Sequence, residues 1–139
     1  MATYIQELGN KLLKSGHGLT MDVHVGEHEL LAELTLGARK QSVSVSVGDC
    51  KSSGGHTVRL LSRACPVRDH KIVRAALNAN DNLELGGLCL DTTTNPPVID
   101  VVHNLVAEDL NFEEFVHSLL AVARYADQIE KRMVGTDTF

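Results

Sequence analysis

Histidines, cysteines and paired carboxylates are the side chains of this chain able to do chemistry, and their spacing decides which chemistry is open to them. His28-Glu29 opens like the zinc-protease motif His-Glu-x-x-His, in which two histidines one helical turn apart share a metal and the glutamate activates its water. Position 32 is Ala32 and the segment alternates like a strand, so both the second ligand and the helix are missing. Cys50, His56, Cys65 and His70 hold the right atoms for a four-ligand zinc site, but their spacings match no compact knuckle and Cys50 falls in a polar loop. His24 and His28, if carried by one strand, stand about 13 Å apart, too far to share an ion.

Nucleophilic catalysis needs a Ser or Cys beside a base, usually on a strained turn. No G-x-S-x-G elbow occurs. Cys65 and Cys89 sit inside strand patterns, where a free cysteine behaves as a small hydrophobe. Cys50 as a redox sensor would need a depressed thiol pKa, and only Lys51 is adjacent to provide it. Gly86-Gly87 is followed by a strand and Gly54-Gly55 by no lysine, so neither cradles phosphate; a bulge and a loop are expected there. Glu113-Glu114 resembles an acid/base pair, yet a helix start explains both carboxylates. The remaining route to an enzyme or ligand-binding domain is a site assembled in space from His103, His117 and Asp127. No catalytic residue, metal or cofactor is assigned from these patterns.

The 139 residues suffice for one domain, residues 1–139, that folds without disulfides or metals. A net charge of −5 opposes binding to phosphate backbones, and two Tyr and three Phe, all dispersed, offer no stacking platform, so nucleic acid is not an expected partner. No run of apolar residues is long enough to span a membrane, and Met1 to Gln6 does not open a signal peptide. Three cysteines without a CxxC pair suit a reducing compartment, and the expected location is the cytoplasm.

The elements that must position these residues follow from periodicity. Thr3 with Gln6 makes a capping box for a first helix carrying Ile5, Leu8 and Leu12, which Gly16 and Gly18 end. Period two then takes over: Leu19 to Val25, Leu30 to Leu36, a turn at Gly37-Ala38-Arg39-Lys40, and Val43, Val45 and Val47 alternating with Ser42, Ser44 and Ser46. A mobile loop is expected from Gly48 to Gly55, then a strand from His56 to Cys65 closed by Pro66. Asp69 caps a second helix with Ile72, Val73, Ala76 and Leu77 on one stripe, which the asparagines from Asn78 to Asn82 stop. Strands Leu83 to Leu90 and Val98 to Val106 follow across Pro96-Pro97. Asn111 caps the last helix, Phe112 to about Met133, with a stripe of Phe112, Phe115, Val116, Leu119, Leu120, Ala123, Ala126, Ile129 and Met133. Helices flank runs of strands, so the fold class is α+β, helices on an antiparallel sheet.

Leu77-Asn78-Ala79-Asn80, Gly87-Leu88-Cys89-Leu90-Asp91 and Ala123-Arg124-Tyr125-Ala126-Asp127, with Arg39-Lys40-Gln41-Ser42-Val43 upstream, resemble the YbjN family, whose members share the fold of type III secretion chaperones. The resemblance covers about residues 29 to 133. The family pattern has Asn-x-x-Asn where this chain has Asn-x-Asn, and its acidic helix start corresponds to Phe112-Glu113-Glu114-Phe115. It implies an α-β-β-β-α-β-β-α domain that forms a homodimer and binds other polypeptides without ATP or metal. The strand at Leu19 to Val25 is additional to that plan. The resemblance further implies a dimer interface at the second helix and the next strand, here Leu88 and Leu90, with client chains laid over the sheet and its grooves as extended segments. The function expected is thus that of a non-enzymatic, dimeric, protein-binding module, a client chaperone or regulatory adaptor.

Overall fold

A computed structural model of the chain describes residues 2–15, 18–50, 52 and 54–133. Helix α1 (Ala2–Lys14) leads into strands β1 (Met21–Val25), β2 (Glu29–Leu36), β3 (Arg39–Asp49) and β4 (His56–Pro66). Helix α2 (His70–Ala79) and a 3-10 turn (Asn80–Asn82) follow, then β5 (Gly87–Asp91), β6 (Val98–Val106) and helix α3 (Phe112–Met133). The strands form one sheet in the order β1-β2-β3-β4-β6-β5, every neighbouring pair antiparallel. This is the α+β architecture expected, with the first strand added to its edge.

Alternation along the strands divides the sheet into two faces. Leu30, Ala32 and Leu34 of β2, Val43 and Val45 of β3, Val58 and Leu60 of β4 and Ile99 and Val101 of β6 are buried beneath the helices. α3 lies mainly over β4, with β3 and β6 to either side, and α1 covers β1 and β2. α1 approaches closely where Gly9 meets Val25: a Cβ at Gly9 would collide with the valine side chain. The residues between the buried ones, among them Ser42, Ser44 and Ser46, face away from the helices and stay partly accessible.

Caps placed by sequence are present. The Asp69 carboxylate accepts from the Lys71 amide at 3.0 Å, and the Asn111 side chain accepts from the amides of Glu113 at 2.8 Å and Glu114 at 3.3 Å, each closing a helix N-terminus. The Thr3 cap and Gly16 concern side chains and residues outside the described set.

Four expectations need correction. The turn after β2 is only Gly37-Ala38: Gly37 has φ +66 and Ala38 does not have positive φ, as in a two-residue type II′ hairpin, so Arg39 and Lys40 already belong to β3. The segment from Gly48 is not a loose loop at its ends, because Gly48 pairs with Thr57 and Asp49 with His56, and the Cys50 amide bonds the Gly55 carbonyl at 2.7 Å. The expected strand from Leu83 begins only at Gly87. Gly86 has φ +73 and Tyr125 Oη accepts from the Glu84 amide, so residues before Gly87 turn towards α3 instead of joining the ladder. The irregularity in the sheet lies between Arg63 and Cys65 of β4, not at Gly86-Gly87.

Candidate functional site

Leu77, read from sequence as part of a buried stripe, is 64% exposed on α2, where only Ala76 is fully buried. Beside it runs β5, an edge strand, with Leu88 packed partly into the core and Leu90 45% exposed. The two sequence-named interface residues thus share a strand, and Leu77 on the adjoining helix adds to the exposed apolar surface at this end of the sheet. Asn80 shapes that edge. Its Oδ1 accepts from the Leu88 amide at 2.6 Å, so this outward-pointing donor of β5 is satisfied by the 3-10 turn. Gly86 allows the turn into β5, since a Cβ there would stand 2.5 Å from the Val102 carbonyl oxygen.

A second surface is the helix-free face of the sheet. Glu29, Leu31, Ser42, Ser44, Leu61 and Arg63 line a trough of about 510 Å3 across β2, β3 and β4. At its β6 side lies Asp100, buried although it stands between two strand partners with polar or small side chains, Arg63 and Cys89. Burial pushes the Asp100 carboxyl above the usual carboxylate range, and Arg63 opposes that shift. Arg63 reaches Asp91 at 3.4 Å, and Asp91 is held below the ordinary range by its bonds from Thr93. Sequence reasoning passed over Asp100; the signal was an aspartate in the middle of Val98-Ile99-Asp100-Val101-Val102.

A third is a groove of about 100 Å3 between α1 and the start of α3, walled by Tyr4, Leu8, Leu110 and Phe112 and rimmed by Glu7 and Lys11.

The candidate catalytic groups sit in different surroundings. Asp127 is bound by Arg39, whose Nε donates to it at 2.6 Å while Nη2 donates to Glu130 at 2.9 Å. Glu130 is 0% exposed, so this is a latch between β3 and α3. It joins the two ends of the motif set that carried the family resemblance. His117 instead lines a groove with Leu85, Leu120 and Tyr125. Burial lowers His103 below the ordinary histidine value, and Glu114 acts against that shift.

His56 and Cys65 occupy opposite ends of β4, about 30 Å apart at strand rise, so the four-residue zinc set cannot close on one ion. The Cys65 thiol is pushed up to about 11, first by burial and then by the Glu130 charge, which keeps it protonated and inert. His56 is engaged otherwise: Nδ1 lies 2.9 Å from Glu108 and Nε2 3.6 Å from Asp49. His24 and His28 do not share a strand, because Gly26 to His28 form the turn between β1 and β2. Cys50 Sγ lies 3.3 Å from Ser52 Oγ, and Lys51, its supposed activator, falls outside the described residues. No group of three or more His, Cys, Asp or Glu side chains that could hold a metal occurs among the described residues. No helix among them is long and apolar enough to cross a membrane.

No family model matches the chain, and no curated protein sequence matches it significantly. Among solved structures, the chain is similar to a chain of the HopA1-SchA chaperone-effector complex, with a TM-score of 0.57 and 14% identity over 93% of this chain and 91% of that one. The six-stranded antiparallel sheet with its flanking helices is therefore a type III secretion chaperone-like fold.

Proposed function

We propose that this chain is a non-enzymatic protein-binding module of one domain that works as a homodimer and holds a client polypeptide, as a secretion-type chaperone or a regulatory adaptor related to the YbjN family. The observation that carries the reading is the likeness of fold, over nearly the whole chain, to a structure described as a chaperone-effector complex. The exposed Leu77 and Leu90 at the α2–β5 edge support self-association there. Because Asn80 already satisfies the Leu88 amide, two such edges would meet through leucine side chains and not through a continuous ladder. The different surroundings of His103, His117 and Asp127, with Asp127 already held by Arg39, favour binding over catalysis. A cytoplasmic location accords with a sparse set of three cysteines that forms no CxxC pair and of which Cys65 is buried.

Light scattering of the purified protein tests the reading. A mass twice that of the 15.1 kDa chain, falling to the single-chain mass for Leu77→Glu or Leu90→Glu, is the expected result. A wild-type protein that stays a single chain and retains no polypeptide would remove it.

A further inference from the structure

The register of the sheet lines up an apolar row on the helix-free face. Leu31 pairs with Ser44, Ser44 with Leu61, and Leu61 with Val102, so these four side chains cross β2, β3, β4 and β6 in sequence. Three inter-strand steps of about 4.8 Å make a lane of roughly 14 Å, the reach of about four extended residues. Ser44 keeps its middle low between two half-buried leucines, and the trough of about 510 Å3 opens there.

One row further along, Asp100 lies between its register partners Arg63 and Cys89 and therefore points to the same face. It is 3% exposed, and its Oδ1 has no hydrogen-bond partner. Buried carboxylate oxygens are normally satisfied, and leaving one unpaired is unfavourable. Arg63 does not supply the missing donor: its Nη2 goes to Asp91 at 3.4 Å, and none of its nitrogens bonds Asp100 Oδ1. Nor is the trough a plain cationic patch, because Glu29 stands in its wall opposite Arg63. A carboxylate sunk beside an apolar lane that is open at Leu31 and Leu61 fits a guest that sets apolar side chains there and carries one cationic donor. A charge-assisted hydrogen bond from such a donor is the interaction that best offsets the burial of Asp100.

We propose that this lane receives an extended segment of the client polypeptide that sets apolar side chains against Leu31 and Leu61 and directs a lysine or arginine to Asp100. The inference rests on the protein-binding reading and names what the bound segment must contain.

The test is a selection of short random peptides on the immobilised full chain, with peptides that also bind the Leu61→Asp variant discarded. The expected winners carry a Lys or Arg flanked by apolar residues. Changing that cation to methionine should weaken binding to the wild type about tenfold or more, the range of a hydrogen bond to a charged group, and should change little in Asp100→Asn. Asparagine preserves the shape of the site, and Leu31→Asp gives a second disruption of the lane should Leu61→Asp fold poorly. Winners that lack a cation, a methionine change that costs the same in Asp100→Asn, or a selection that recovers nothing would overturn the proposal. So would a dimer that dissociates on Leu61→Asp or Leu31→Asp, since the lane would then be the face between copies. A natural client held equally by wild type, Leu31→Asp and Asp100→Asn would leave the protein-binding reading standing and remove only the lane.

Discussion

Helices α2 and α3 are both amphipathic and both flank the same sheet, yet they are fixed to it in different ways. α3 runs for 22 residues and buries Phe115, Leu119, Val122, Ala123, Ala126 and Ile129, then fastens its last turns through Arg39 to Asp127 and Glu130. α2 has 10 residues, buries only Ala76 fully, and leaves Leu77 in solvent. A helix whose apolar stripe is wider than its contact has surface left for another molecule, whereas one whose stripe is consumed and latched serves as scaffold. The contrast makes α3 the scaffold and leaves the α2–β5 edge as the surface to which the proposed self-association is ascribed, and it can be broken at either end.

The largest effect is expected from Phe115→Ala, which removes a fully buried ring beneath α3 and should cost about 3–5 kcal/mol in denaturant unfolding. Arg39→Ala comes next. It leaves Glu130 buried without its guanidinium partner, and a loss of about 3 kcal/mol is expected by the same measurement. Asn80→Ala withdraws the acceptor of the Leu88 amide on an edge where water can partly replace it, so about 1 kcal/mol should be lost, with faster hydrogen exchange confined to β5.

The His56–Glu108 contact ties the start of β4 to the segment before α3. Its side-chain bond from His56 lowers the Glu108 pKa below the usual carboxylate value, so the folded state binds that proton less readily than the unfolded chain. The stabilisation is complete above the unfolded carboxylate pKa and is lost as pH falls through the lower folded value. Glu108→Gln should flatten that acid slope in a series of thermal melts. Leu77→Ser should have the smallest effect on stability, within about 0.5 kcal/mol, while reducing self-association. If it instead destabilised the chain as Phe115→Ala does, the assignment of α2 to association would fail.

Much of the scaffold was legible from local signals. The Val/Ser alternation of β3, the Asp69 and Asn111 caps and the span of α3 depend on residues close in sequence, and each appears where local pattern placed it. What local signals could not carry was set by distant partners. Glu130 looks like one more charge near a helix end until Arg39, 91 residues away, is found against it. The stripe of α3 is also rotated from the expected one: Ser118, Val122 and Glu130 are buried, while Val116 and Leu120 are only partly covered. Leu83 to Gly86 carries strand-like leucines, but Tyr125 draws its backbone away from the sheet. At the candidate interface, Leu88 and Leu90 came from resemblance, while the exposure of Leu77 follows from α2 lying beside an edge strand that covers only part of its stripe.

The bond from the Leu88 amide to Asn80 bears on how copies of this chain could accumulate. An edge strand with every donor open can template another copy, and that copy a third, so growth need not stop. An edge whose donor is answered from within its own chain can still meet a twin through side chains about a two-fold axis, which closes the assembly after one step. Asn80 thus removes one open donor from this edge, and Asn80→Ala at high concentration is where added strand-to-strand growth would appear as turbidity.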